Sequence, residues 1–129
     1  MASEAELLAL ASRVEAASRP DRELDALVNA ACCIGTIPCE QYPTIEAWAS
    51  SALRHNWNFP RYTASLDAAM TLVPEGDWAE GSLSSPGQLE IHGPCTFDPI
   101  GKGWAATPAL ALTAACLRAR AATMGGRDD

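Results

Sequence analysis

Apolar residues at helical spacing, with capping and stop signals, mark five helical stretches in this chain, and apolar and polar residues alternate in a sixth. Leu7, Leu8, Ala11 and Val14 define the first helix, which opens on a Ser3/Glu6 capping-box pattern and ends before Arg19-Pro20. A second helix begins at Pro20 or Asp21, with Leu24, Leu27, Val28, Ala31 and Cys32 on one face and Gly35 as its stop. Thr44 caps a third, carrying Ile45, Trp48, Ala49, Ala52 and Leu53 on one side. The break at 56–60 leads into a short helix over 62–73, capped by Thr63 or Ser65 and stopped by Pro74. The last helix spans 107–125: Thr107 caps it, Pro108 occupies a position where a missing N–H costs nothing, and Gly125 closes it.

Between Asp77 and Ile91 the period changes to two. Trp78, Ala79, Gly81 and Leu83, the turn sequence Ser84-Ser85-Pro86-Gly87, and then Leu89 and Ile91 predict a β-hairpin. A third short strand is placed at 95–97, between Pro94 and Pro99. Three strands cannot hide both faces of a sheet, so helices must cover one or both, giving a layered α/β domain that takes in the whole of 1–129. The final helix is apolar almost all round: Leu110, Ala114, Leu117 and Ala121 form one stripe, and Ala111, Leu112, Ala115 and Cys116 extend it. That is more than one packing face requires, which predicts burial on two sides and a self-associating protomer.

Two segments in the second half carry a family resemblance. The pattern Y-T-A-S-L-D-A-A-x-x-L-V-P-E-G-x-W at 62–78, followed by A-T-P-A-L-A-L-x-A-A-x-L-R-A-R-A at 106–121, resembles the phage ABA sandwich domain. D-R-E-L-D-A-L at 21–27 fits as well, whereas 32–58 carries no matching pattern. The resemblance implies an alpha-beta-alpha sandwich with a small, mainly antiparallel sheet flanked by N- and C-terminal helices. It also implies a phage or prophage accessory protein in the cytoplasm of a bacterial host. It implies no reaction.

Sixteen acidic against nine basic side chains give a formal charge of −7, which opposes binding to a nucleic acid polymer or an anionic membrane surface. No run of eighteen apolar residues is present, and the N-terminal MASEAELLAL lacks the pattern of a secretory signal. Five cysteines in unpatterned positions suit a reducing compartment better than a disulfide framework.

Two groups of residues offer binding chemistry. In Gly101-Lys102-Gly103-Trp104, read as a loop before the helix at Thr107, glycines allow close backbone approach, Lys102 supplies charge, Trp104 supplies a stacking surface and the helix start supplies N–H groups. The combination suits a phosphorylated, base-containing small molecule, although the spacing is not that of a P-loop. The alternative is a loop whose lysine is solvated and whose tryptophan packs on the core. In the second group Arg54, His55, Trp57, Phe59, Arg61 and Tyr62 alternate basic and aromatic character, fitting half of a ligand pocket, a partner-binding edge, or a plug of the core with arginines at its rim.

Catalytic patterns are missing. His55 and His92 are the only histidines and neither has a familiar metal-ligand spacing; Cys32 and Cys116 lie on apolar helix faces. No motif calls for a cofactor. The sequence thus favours a non-enzymatic protein that captures a small nucleotide-like molecule, such as a host immune signal, through Arg54, Trp57, Arg61, Tyr62, Lys102, Trp104 and Thr107, in a pocket between subunits. An inhibitor or adaptor that meets a host or phage protein through its acidic surface and Trp-rich segment is the alternative, and a small hydrolase is third.

Overall fold

The computed structural model describes residues 2–32, 41–94 and 98–124. Five helices, α1 (Glu4–Ala16), α2 (Arg22–Cys32), α3 (Ile45–Arg54), α4 (Leu66–Met70) and α5 (Pro108–Met124), accompany three strands, β1 (Trp78–Ser82), β2 (Gly87–His92) and β3 (Gly101–Ala105). The strands form one antiparallel sheet in the order β1-β2-β3. The small antiparallel sheet with chain-terminal helices beside it is the α/β arrangement that the sequence implies.

Local signals account for most of the helix starts. Ser3 and Glu6 make both bonds of a capping box, at 2.9 and 3.2 Å, and the Thr44 hydroxyl accepts from the N–H of Ala47 at 3.0 Å. Asp21 accepts from the N–H of Glu23 at 2.8 Å, and Thr107 accepts from that of Leu110 at 3.3 Å. α4 is shorter than the 62–73 expected. It starts only after Ser65, because Tyr62 and Thr63 are engaged elsewhere: the Tyr62 hydroxyl donates to Asn29 Oδ1 at 2.7 Å and Thr63 bonds to Asp21 and Asp25 of the α2 entrance.

α5 is the centre of the molecule. It packs on β3 and β2 on one side, on α1 on another and on α4 on a third, while α2 packs on α3 and α1. Its residues from Ala109 to Leu117 are all buried, Leu112 included. The all-round apolar surface is therefore used within one chain, and the reason for expecting a subunit interface on this helix disappears. Other packing surfaces supply the partners: Leu7, Leu10, Ala11 and Val14 of α1, and Leu89 and Ile91 of β2.

β3 occupies 101–105, where a loop was expected; the strand expected at 95–97 and the helix stops at Gly35 and Gly125 lie outside the described residues. The reason is close approach. A Cβ at Gly101 would lie 2.2 Å from the carbonyl oxygen of Ala115, and one at Gly103 2.0 Å from that of Ala111. Only glycine at these inward positions lets β3 lie directly on the α5 backbone.

Candidate functional site

Alternation along the strands leaves one face of the sheet on α5 and the other toward solvent. Gly87, Leu89 and Ile91 of β2 and Gly101, Gly103 and Ala105 of β3 are buried on the inner face. The outer face is built in three cross-strand rows by the register: Trp78 beside His92; Glu80, Glu90 and Lys102; and Ser82, Gln88 and Trp104. Trp104 is 67% exposed and Trp78 46%. The Trp78 and His92 rings stack at 5.8 Å with 13° between planes, His92 Nε2 lies 3.1 Å from Glu90 Oε1, and the Trp78 indole N–H donates to Glu80 Oε1 at 3.2 Å. This surface therefore combines two exposed indoles with an amide, a lysine, two carboxylates and an imidazole.

Lys102 and Trp104 thus share a surface, but not with the start of α5. Their side chains leave β3 on the face opposite that helix, whereas its first turn is held against the sheet: a Cβ at Gly87 would lie 2.7 Å from Pro108 Cα. Thr107 spends its hydroxyl as the cap. Of the lysine, indole and helix-start N–H groups expected to converge on one phosphate, only Lys102 and Trp104 stand together, on the outer face of the sheet.

A side-chain pair fixes the outer edge of β3. Glu15 of α1 accepts from the backbone N–H of Trp104 at 2.9 Å, and Arg118 of α5, bonded to Glu15 through both of its terminal nitrogens, also donates to the Lys102 carbonyl at 2.9 Å. The hydrogen bond from Arg118 holds the Glu15 carboxyl below its ordinary value, and the same bond raises Arg118. The pair occupies the backbone positions that another strand would use, and it immobilises the segment that carries Lys102 and Trp104. Nothing in sequence signals it, since Glu15 and Arg118 are 103 residues apart.

The basic and aromatic group lies elsewhere, on α3 and the segment after it. Trp48 meets Trp57 edge-on at 5.6 Å and Phe59 at 6.0 Å, Tyr42 meets Trp57 at 6.0 Å, and His55 stacks on Trp57 at 5.9 Å. Tyr62 is fully buried, its hydroxyl already bonded to Asn29, so it is a core residue and not the ligand contact expected. Trp57 is half-buried in the aromatic cluster, and Arg54 and Arg61 are exposed beside it. The cation that engages the cluster is Arg22, 3.8 Å above the Phe59 ring and bonded to the carbonyls of Phe59 and Pro60. These contacts describe a packed connection with arginines at its rim.

The sequence passed over Trp78, Gln88, Glu90 and His92 as one surface with Trp104. The usable signal was the period of two: once Leu89 and Ile91 face inward, Gln88, Glu90 and His92 must face outward. Cys116 is buried, and burial pushes its thiol up to about 12, which removes it as a nucleophile. Among the described residues no three His, Cys, Asp or Glu side chains are grouped to hold a metal ion, and no helix is long and apolar enough to cross a membrane. Compared with protein-family models, curated proteins and solved structures, the chain matches none.

Proposed function

We propose that this protein is a non-enzymatic binding protein that captures a nucleotide-like molecule on the outer face of its sheet. The observation that carries the reading is Trp104: a large indole, 67% exposed, on a strand whose backbone is fixed from the edge by Glu15 and from beneath by α5. A preorganised exposed aromatic loses little freedom on stacking, and stacking of a base on such a ring is worth about 1–3 kcal/mol.

The neighbours of Trp104 supply the rest of the recognition. Gln88 is directly opposite in register and presents an amide, donor and acceptor together, to the edge of a stacked base. Lys102 is two residues along the same face, about 7 Å away by strand geometry, which is the reach from a base to its phosphate. One protomer holds all three groups, so the reading requires no subunit interface. In the phage or prophage setting, the role is sequestration of a host nucleotide signal in the bacterial cytoplasm.

Calorimetry against mono-, di- and cyclic nucleotides tests this, together with mass spectrometry of small molecules that co-purify. Trp104→Ala should weaken capture by about 1–3 kcal/mol, Lys102→Glu should weaken it sharply by reversing the local charge, and added salt should weaken capture by the unaltered protein. Both variants should unfold at the temperature of the unaltered protein, because both side chains are exposed. A folded protein that binds no nucleotide and retains none on purification refutes the proposal.

A further inference from the structure

The two edges of the sheet are treated differently. The β3 edge is closed, as described, by Glu15 on the N–H of Trp104 and Arg118 on the carbonyl of Lys102. Those two bonds also fix the pattern of the whole ladder. With the polar backbone groups of 102 and 104 pointing outward, 101, 103 and 105 must bond to β2 through 91, 89 and 87. Residues 88, 90 and 92 then bond to β1 through 82, 80 and 78. The N–H and C=O groups of Ala79 and Gly81 are consequently directed away from the sheet, along an edge where Trp78, Glu80, Gly81 and Ser82 are all exposed.

We infer that the β1 edge accepts an extended basic peptide by strand addition. A strand laid along β1 would exchange backbone bonds with Ala79 and Gly81, and its residue opposite Glu80 would stand on the outer face, at the short cross-strand spacing of about 5 Å. The Glu80 carboxylate, 62% exposed, would meet that side chain. A lysine or arginine there forms a cross-strand ion pair, and the next outward basic residue reaches the exposed ring of Trp78. The residues that alternate with them stand opposite Ala79 and Gly81, which favours modest apolar side chains. The recognised pattern is therefore basic and apolar in alternation.

Charge selects this occupant over a second copy of the chain. Pairing two β1 strands along their full length sets Glu80 against its own counterpart and joins two molecules of formal charge −7. A basic segment is instead drawn toward the protein by the same charge. This interaction is separate from the nucleotide reading, which uses the β3 half of the face.

The test uses a fluorescein-labelled Lys-Val-Lys-Val-Lys-Val peptide, with its Glu-Val counterpart as control, in fluorescence anisotropy on the full chain. The Lys-Val peptide should bind at least about tenfold more tightly than the Glu-Val peptide, and Glu80→Lys should weaken it by about tenfold. Glu46→Lys, an equal change of charge at an exposed site on α3, should change affinity by less than about threefold. A Lys-Val peptide methylated on its alternate backbone nitrogens should not bind, since it lacks the donors for the edge; this arm is independent of any variant's folding. Failure of the Lys-Val peptide to bind, equal losses in Glu80→Lys and Glu46→Lys, or full binding of the methylated peptide would each overturn the inference. So would a dimer in sedimentation that Glu80→Lys dissociates and the peptide does not displace.

Discussion

Thr63→Val removes one hydroxyl from the centre of the network that joins the two motif segments D-R-E-L-D and Y-T. In the folded chain that hydroxyl donates to Asp25 Oδ1 at 2.8 Å and accepts from the N–H of Asp21 at 2.9 Å. Asp25 is 1% exposed, and its remaining donors are the backbone N–H of Thr63 at 2.8 Å and Arg22 at 3.1 Å. Valine fills nearly the same space, so cavity formation adds little. A lost hydrogen bond to a buried carboxylate costs about 1.5–3 kcal/mol. The stranded Asp21 amide adds less, because Asp21 is exposed and water can reach it. The sum is about 2–4 kcal/mol, a large share of the stability of a domain this size. In urea that moves the midpoint down by roughly 1–2 M with the slope unchanged. Asp25→Asn and the double variant complete a cycle, whose coupling energy should exceed about 1 kcal/mol. Thr63→Val within about 0.5 kcal/mol of the unaltered protein, or a coupling energy near zero, refutes the claim that these motif residues act as a staple. Nucleotide and peptide binding by the folded variant should be unchanged, since this segment meets α5 at Thr113, through the Tyr62 carbonyl, whereas β3 lies on the opposite side of that helix at Ala111 and Ala115.

Gly103→Ala should lower the melting temperature sharply or prevent folding, because its Cβ would lie 2.0 Å from the Ala111 carbonyl oxygen and both partners are backbone; a cost under about 1 kcal/mol would contradict so close a strand-to-helix approach. Glu15→Gln should cost about 1–2 kcal/mol at neutral pH. The folded Glu15 carboxyl is held below its ordinary 4.5, so its contribution is complete above that pH and is lost as pH falls through the lowered value. The gap between variant and unaltered protein should therefore close in acid, and a gap constant from neutral to acid pH in urea titrations would exclude the pairing as its source.

Helix existence was legible because caps and apolar faces are local: Ser3 with Glu6, Thr44 and Thr107 all cap where the sequence places them. β2 was legible through Leu89 and Ile91. β3 was not, since Gly-Lys-Gly-Trp has a loop's composition and becomes a strand only because α5 occupies the space of the missing side chains. The beginning of α4 was misplaced because Tyr62 and Thr63 answer to residues near 21–29, contacts that no local window contains. The breadth of the apolar surface on α5 was correct as a pattern. Its explanation was not, because a helix at the centre of a fold needs several partners and a single chain supplies them all. Of the site residues, Lys102 and Trp104 are placed together on an exposed face, whereas Tyr62 went into the core through a hydrogen bond to Asn29.

The composition of β3 links packing to binding. With glycine required at 101 and 103, the inner face of the strand has no room for side-chain chemistry, so every distinguishing group it carries must stand on the outer face. Lys102 and Trp104 are those groups, and neither contributes to the core. A strand that needed only to cover α5 could carry any polar residues outward; an indole 67% exposed adds nothing to that purpose. The same strand is fastened on its free edge by a charged pair drawn from both terminal helices, which holds the backbone beneath the indole still while leaving the ring uncovered. Among the described residues, rigid support under an uncovered aromatic surface stands on this side of the molecule: at the other aromatic group, Trp48 and Tyr62 are buried and Trp57 is half-covered.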